Sequence, residues 1–104
     1  MQIILVDKIN VPAESKATFL ERAYRVQRFI KTLPGFVEGF LYEKEAGESA
    51  HNYMTTAVWE SEEAFQNAQK LVAAEYKKQG FNPQEFRNQL GITSERDVYK
   101  RSAY

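Results

Sequence analysis

The chain has no cysteine, which excludes disulfides, thiolate metal ligands and a cysteine nucleophile. It has one histidine, His51, too few for a multi-histidine metal site. Charge of one sign is not in excess: 14 basic side chains stand against 14 acidic ones, a formal net charge of zero. The electrostatic footprint of a nucleic-acid binder, or of a surface drawn to anionic membranes, is therefore missing. No apolar run approaches the ~18 residues needed to cross a bilayer. The opening Met1-Gln2-Ile3-Ile4-Leu5-Val6-Asp7 has no basic start and too short an apolar stretch for a signal peptide, so a cytoplasmic protein is expected. Glycine-rich phosphate loops, nucleotide fingerprints, a Ser-His-Asp set and metal-ligand clusters are likewise absent.

What is present reads as one ordered domain. At 104 residues the chain can bury roughly two thirds of its unfolded surface. Its 43% hydrophobic and 27% charged residues are ordinary globular values and argue against disorder. The most informative stretch is Val58-Trp59-Glu60-Ser61-Glu62-Glu63-Ala64-Phe65. Before it, Asn52 to Trp59 is rich in aromatic and β-branched residues, without Gly or Pro, as a buried strand should be. After it, Ser61 can cap a helix, and Glu62 and Glu63 sit where the helix dipole favours negative charge. Phe65, Ala68, Val72 and Tyr76 then form one apolar stripe.

The other elements follow from similar signals. A first strand covers Ile3 to Val11, and Pro12 ends it. A helix is expected from about Ala13 to Leu33, with Phe19, Ala23, Val26, Ile30 and Leu33 as its stripe. Arg22, Arg25 and Arg28 lie off that stripe and read as a solvated face. Pro34-Gly35 turns the chain into a second strand, Phe36 to Lys44, which forms an antiparallel hairpin with a third, Asn52 to Glu60. The helix after Ser61 runs to about Gln79, with Gly80 closing it. Asn82-Pro83 and Gly91 bracket a short helix from Pro83 to Leu90. A polar last strand, Thr93 to Arg101, completes the order β-α-β-β-α-(α)-β. This is the ferredoxin-like α+β arrangement, with a four-stranded antiparallel sheet.

Two long helices cover only one face of such a sheet. Yet the strands are apolar on both: Ile3, Leu5 and Ile9 oppose Ile4 and Val6, and Tyr53, Ala57 and Trp59 oppose Met54 and Val58. The helix-free face needs a cover, and a second copy of the chain is the simplest one. A homodimer is expected.

Leu33-Pro34-Gly35-Phe36 and Thr56-Ala57-Val58-Trp59-Glu60-Ser61-Glu62-Glu63-Ala64-Phe65, taken with the element order, resemble the antibiotic biosynthesis monooxygenase family over residues 1 to about 101. The resemblance implies a dimeric α+β barrel of two ferredoxin-like sheets packed face to face. It also implies one of several activities: cofactor-independent oxygenation of quinols or polyketides, or haem degradation. The haem branch looks for Asn on the first strand, Trp at the end of the third and an iron-ligating His on the second long helix. Trp59 matches and Asp7 stands near the Asn position, but the helix from Ser61 to Gln79 has no His, so haem is disfavoured. The polyketide branch carries Asn and Tyr where Thr55 and Phe65 stand here, so its full residue set does not carry over.

The expected reading is an oxygenase without cofactor or metal, acting on a small aromatic or quinol-type substrate. A non-catalytic ligand-binding or stress-related dimer on the same scaffold is the alternative. Asp7 and Trp59 are the catalytic candidates. Asp7 is a carboxylate among Ile3, Leu5 and Ile9; burial disfavours its charged form and suits a general base, unless a Lys or Arg pairs with it. Trp59 shapes a pocket or fills the core. Tyr24, Tyr53, Thr55, Phe65 and Tyr76 are the candidate pocket residues, and His51, after a loop, is expected to be exposed.

Overall fold

Strand alternation, helix caps and a glycine turn account for most of the architecture. The computed structural model describes residues 1–103. β1 (Ile3–Asn10) leads through a 3-10 turn to α1 (Lys16–Ile30), followed by β2 (Phe36–Glu43), β3 (Tyr53–Trp59), α2 (Glu62–Gln79), α3 (Pro83–Leu90) and β4 (Thr93–Tyr99). The expected order is the observed one, and every strand pair is antiparallel in the spatial order β2-β3-β1-β4.

The first helix is shorter than its sequence pattern suggests. Ser15 donates its backbone N–H to Pro12 O at 2.9 Å and its hydroxyl to Leu90 O at 2.8 Å, so Ala13–Ser15 forms a tight turn. At the other end Thr32 and Leu33 donate to Phe29 and Ile30, an i→i−3 pattern that tightens the chain before Pro34. The caps of the other helices are as read. Ser61 Oγ accepts from Ala64 N–H at 3.0 Å and Asn82 Oδ1 from Glu85 N–H at 3.1 Å, while Gly80 and Gly91 close α2 and α3 in the left-handed conformation.

Register assigns the two sheet faces. On the helix side the rows are Phe36–Trp59–Ile3, Gly39–Ala57–Leu5–Val98, Leu41–Thr55–Asp7–Arg96 and Glu43–Tyr53–Ile9–Ser94. Two apolar clusters pack beneath the helices. One contains Ile3, Ala57, Trp59, Phe65 and Ala68; the other contains Ile9, Val11, Phe19, Tyr53 and Ile92. Asn52 ties the second cluster to the hairpin, its amide bonding Val11 N–H and Val11 O at 2.8 Å each. The opposite face carries Glu38–Val58–Ile4–Tyr99, Phe40–Thr56–Val6–Asp97 and Tyr42–Met54–Lys8–Glu95. Phe40, Tyr42 and Tyr99 are about half exposed there.

The turn before β2 is the tightest backbone contact. Gly35 has φ +81°, and a Cβ built on it would lie 2.4 Å from Ala64 Cβ. Its carbonyl accepts Glu60 N–H at 2.9 Å, so the turn locks to the β3–α2 junction. Gly35→Ala is expected to lose ~2–4 kcal/mol of unfolding free energy, from left-handed strain plus overpacking. Urea denaturation with a loss under ~1 kcal/mol would show that the junction gives way easily.

Candidate functional site

Between the two apolar clusters the helix-facing surface of the sheet turns polar. Alternation along β1 places Asp7 on that face, and register sets Thr55 on one side of it and Arg96 on the other. Arg96 Nε and Nη2 donate to Asp7 Oδ1 and Oδ2 at 2.8 and 3.0 Å, a bidentate clamp. The Asp7 side chain is 19% exposed and that of Arg96 60%, because β4 is an edge strand lying in the open. Hydrogen bonding to Asp7 pushes the Arg96 guanidinium further up, against the opposing effect of its own burial. Asp7 is therefore not a lone buried carboxylate; the expected alternative, pairing with a basic residue, is what the chain adopts.

Tyr76 of α2 comes close enough to this pair to feel both charges. Burial pushes its phenol up, Arg22 and Arg96 oppose that, and Asp7 adds to it. The net shift is upward, so Tyr76 is a neutral phenol at neutral pH, able to donate or accept a hydrogen bond. Asp7, Thr55 and Tyr76, picked from sequence, are thus brought together, and Arg96 joins them.

The remaining candidates lie elsewhere. Trp59 is 3% exposed and packs edge-on to Phe36, with centroids 5.4 Å apart at 78°. Phe65 is buried in the same cluster, so both are enclosed by side chains. Tyr53 is buried against Phe19, and its hydroxyl donates to Glu43 Oε2 at 3.4 Å; burial, then Glu43, pushes its phenol up. Tyr24 is about half exposed on α1 and lies near enough to Tyr53 for the two phenols to interact. His51 is half-buried rather than exposed, with Nε2 3.8 Å from Glu95 Oε2 on the helix-free side.

Arg22 corrects the reading of a solvated arginine face. The turn after α2 folds Phe81 over it, and its Cζ lies 3.3 Å from that ring's centroid. Arg25 and Arg28 are exposed as expected.

Two open recesses mark the surface. One, of about 530 Å³, is lined by Pro34, Glu60, Ser61, Glu63, Ala64, Gln66, Asn67 and Lys70 around the start of α2; the other, of about 270 Å³, lies between α1 and Phe81 and Phe86. Trp59 lines neither. No group of three His, Cys, Asp or Glu side chains is placed to hold a metal among the described residues, and no helix there is long and apolar enough to cross a membrane. Haem has no imidazole on the helix side to bind it, since His51 is the chain's single histidine. The residues present do not fit a histidine-ligated haem.

Comparison with known proteins now has a geometry to meet. The family model described as Antibiotic biosynthesis monooxygenase matches residues 2–77. No curated protein matches. Among solved structures, SnoaB, a cofactor-independent oxygenase from Streptomyces nogalater, is 20% identical over 99% of this chain and 95% of its own, with TM-score 0.67. The heme-degrader MhuD from Mycobacterium tuberculosis is 22% identical over 98% and 97%, with TM-score 0.73. A conserved protein from Methanosarcina mazei Go1 is 14% identical over 98% and 94%, with TM-score 0.75. At these identities the likeness establishes the fold and does not choose between oxygenation and haem degradation, which the missing α2 histidine had disfavoured.

The packing around Trp59 has a measurable consequence. Trp59→Ala is expected to cost ~3–5 kcal/mol, the value for a large side chain deleted from a closed core. A loss nearer ~1 kcal/mol in chemical denaturation would mean that Trp59 borders a cavity instead.

Proposed function

Because this chain belongs to the antibiotic biosynthesis monooxygenase family, we propose that it is a cofactor-independent oxygenase of a small aromatic, quinol-type substrate. The observation that carries the reading is the Thr55–Asp7–Arg96 row with Tyr76 beside it. Oxygenation without a cofactor requires the substrate itself to become an electron-rich phenolate or enolate. Arg96 is a permanent positive charge held in one orientation by both oxygens of Asp7, which suits it to stabilise such an oxyanion. Asp7 takes the substrate proton, from a hydroxyl polarised by the Arg96 charge beside it. Tyr76 and Thr55 orient the substrate through hydrogen bonds. Trp59 and Phe65 support the row from the neighbouring cluster.

The test is oxygen uptake across a panel of hydroquinones. Arg96→Gln and Asp7→Asn are each expected to lower kcat by about 10²-fold, the usual scale for a lost oxyanion donor. Equal rates would remove the pair from the mechanism. No uptake above autoxidation would favour the second reading, a non-catalytic ligand-binding dimer, which the enclosed packing of Trp59 supports. Haem titration followed by visible absorption addresses the chemistry named for MhuD; stoichiometric binding would displace the cofactor-free reading.

The working unit in this reading is a homodimer formed through the helix-free sheet face. Ile4, Val6, Met54 and Val58 lie on it beside the half-exposed Phe40, Tyr42 and Tyr99. A contiguous apolar surface of this kind is unusual on a monomer. Pairing is expected to bury at least ~800 Å² per partner across a two-fold axis. Val6→Asp with Val58→Asp should give monomeric, unfolded or insoluble chain in sedimentation. A wild type that sediments as a stable 12.1 kDa monomer at micromolar concentration would overturn the dimer.

A further inference from the structure

Arg22 leaves α1 toward the turn that joins α2 to α3. Its guanidinium carbon lies 3.3 Å from the Phe81 ring centroid and 5.6 Å from that of Tyr76. Nη1 donates to Gln79 Oε1 at 3.2 Å. Nε and Nη2 are buried and have no hydrogen-bond partner among the described residues. These two nitrogens share one edge of the guanidinium, and their N–H bonds run parallel, the geometry that grips a carboxylate with two hydrogen bonds. Arg96 applies the same two atoms to Asp7. Arg22 thus carries one half of a clamp whose other half the described residues supply at Arg96 and not here.

The surroundings specify the rest of a ligand. The recess of about 270 Å³ beside Arg22 is lined by Thr18, Glu21, Arg22, Arg25, Phe81 and Phe86. Phe81 and Phe86, with centroids 5.4 Å apart, give it an apolar wall. Glu21 is occupied by Arg25 at 3.4 Å, so it does not neutralise Arg22. Burial pulls the Arg22 guanidinium below its ordinary value, as expected for a cation set against aromatic rings without an acid. A buried donor pair of this kind is unfavourable until something accepts from it.

We propose that this recess binds a small organic monocarboxylate, the carboxylate accepting from Arg22 Nε and Nη2 and the apolar body lying against Phe81 and Phe86. The volume suits one ring or a short branched chain, at the lower end of small-molecule pockets. Entry needs a turn of the Arg22 side chain toward the recess, opposed by its bond to Gln79 and its stacking on Phe81. The site lies between α1 and α3, with Tyr76 between it and the Asp7–Arg96 row, and the proposal does not rest on the oxygenase reading. Phe81 and α3 also lie beyond residues 2–77, so this wall is outside the segment matched by the family model.

The test is an NMR titration with benzoate as the probe, against benzamide as its neutral counterpart and inorganic phosphate as an anion without an apolar body. Benzoate is expected to shift the Arg22 Nε–H resonance and the Phe81 and Phe86 ring signals, saturating with Kd on the order of 1 mM. Benzamide and phosphate should bind at least about 10-fold more weakly, one lacking the charge and the other the body. Arg22→Gln should weaken benzoate by a similar factor while keeping or raising Tm, because it removes a buried charge that has no acid. Arg22→Lys keeps the charge without the fork, and should also bind benzoate more weakly than the wild type. Benzamide or phosphate equal to benzoate, or folded Arg22→Gln or Arg22→Lys with unchanged affinity, would overturn the proposal. So would the absence of benzoate shifts at Arg22, Phe81 and Phe86.

Discussion

β1 lies between β3 and β4, and its two-residue alternation decides what each face of the sheet can be. With Ile3, Leu5, Asp7 and Ile9 directed at the helices, Trp59, Ala57, Thr55 and Tyr53 must lie beside them, and Val98, Arg96 and Ser94 on the other flank. A one-residue slip would turn Asp7 to the helix-free face and bring Ile4 and Val6 under the helices. It would also separate Asp7 from Arg96. The hydrophobic pattern resists that slip because it would drive Lys8 among the side chains that now surround Phe19 and Tyr53.

The same alternation explains why the interior is divided. Asp7 falls at the middle of an otherwise apolar strand face, and a carboxylate there cannot be packed between apolar groups without a partner. Arg96 supplies one from the edge strand, where its far side stays in solvent. The apolar clusters then gather at either end of this row, one beneath the start of α2 and one beneath the start of α1. A polar centre flanked by packed ends holds a fixed charge pair in one orientation. The price is lost apolar contact in the middle of the sheet.

Arg22 and Arg96 show how differently one residue type can be used. Arg96 is solvent-facing and bound at both donors of one edge; Arg22 is covered by aromatic rings, and the same edge has no hydrogen-bond partner among the described residues. Asp7 is mostly enclosed, so Arg96 both compensates its burial and fixes its orientation. Arg22 is the reverse, a donor set kept against an energetic cost.

Local signals legible in the chain were those whose cause is also local. Ser61, Asn82, Gly80 and Gly91 marked helix ends, Pro12 and Pro34 marked breaks, and alternation marked the strands and their faces. The start of α1 moved because Ser15 spends its hydroxyl on Leu90, 75 residues away. Asp7, Thr55 and Tyr76 were identifiable as polar groups on apolar stripes. Arg96 was not, since its role depends on β4 pairing beside β1 in one register, and Ser94-Glu95-Arg96-Asp97 alone reads as a polar edge. Trp59 offered two roles at the sequence level, pocket wall or core, and only the fold shows which side chains surround it: Ile3, Phe36 and Phe65. Arg22 read as solvated because helical periodicity describes one helix, whereas its burial comes from Phe81 in a turn contributed by another part of the chain. Sequence therefore determined the elements, their order and their two-faced strands, which follow from caps, breakers and period. Only the tertiary structure decided which charges meet an opposite charge and which meet an aromatic ring, because that depends on contacts between segments far apart in the chain.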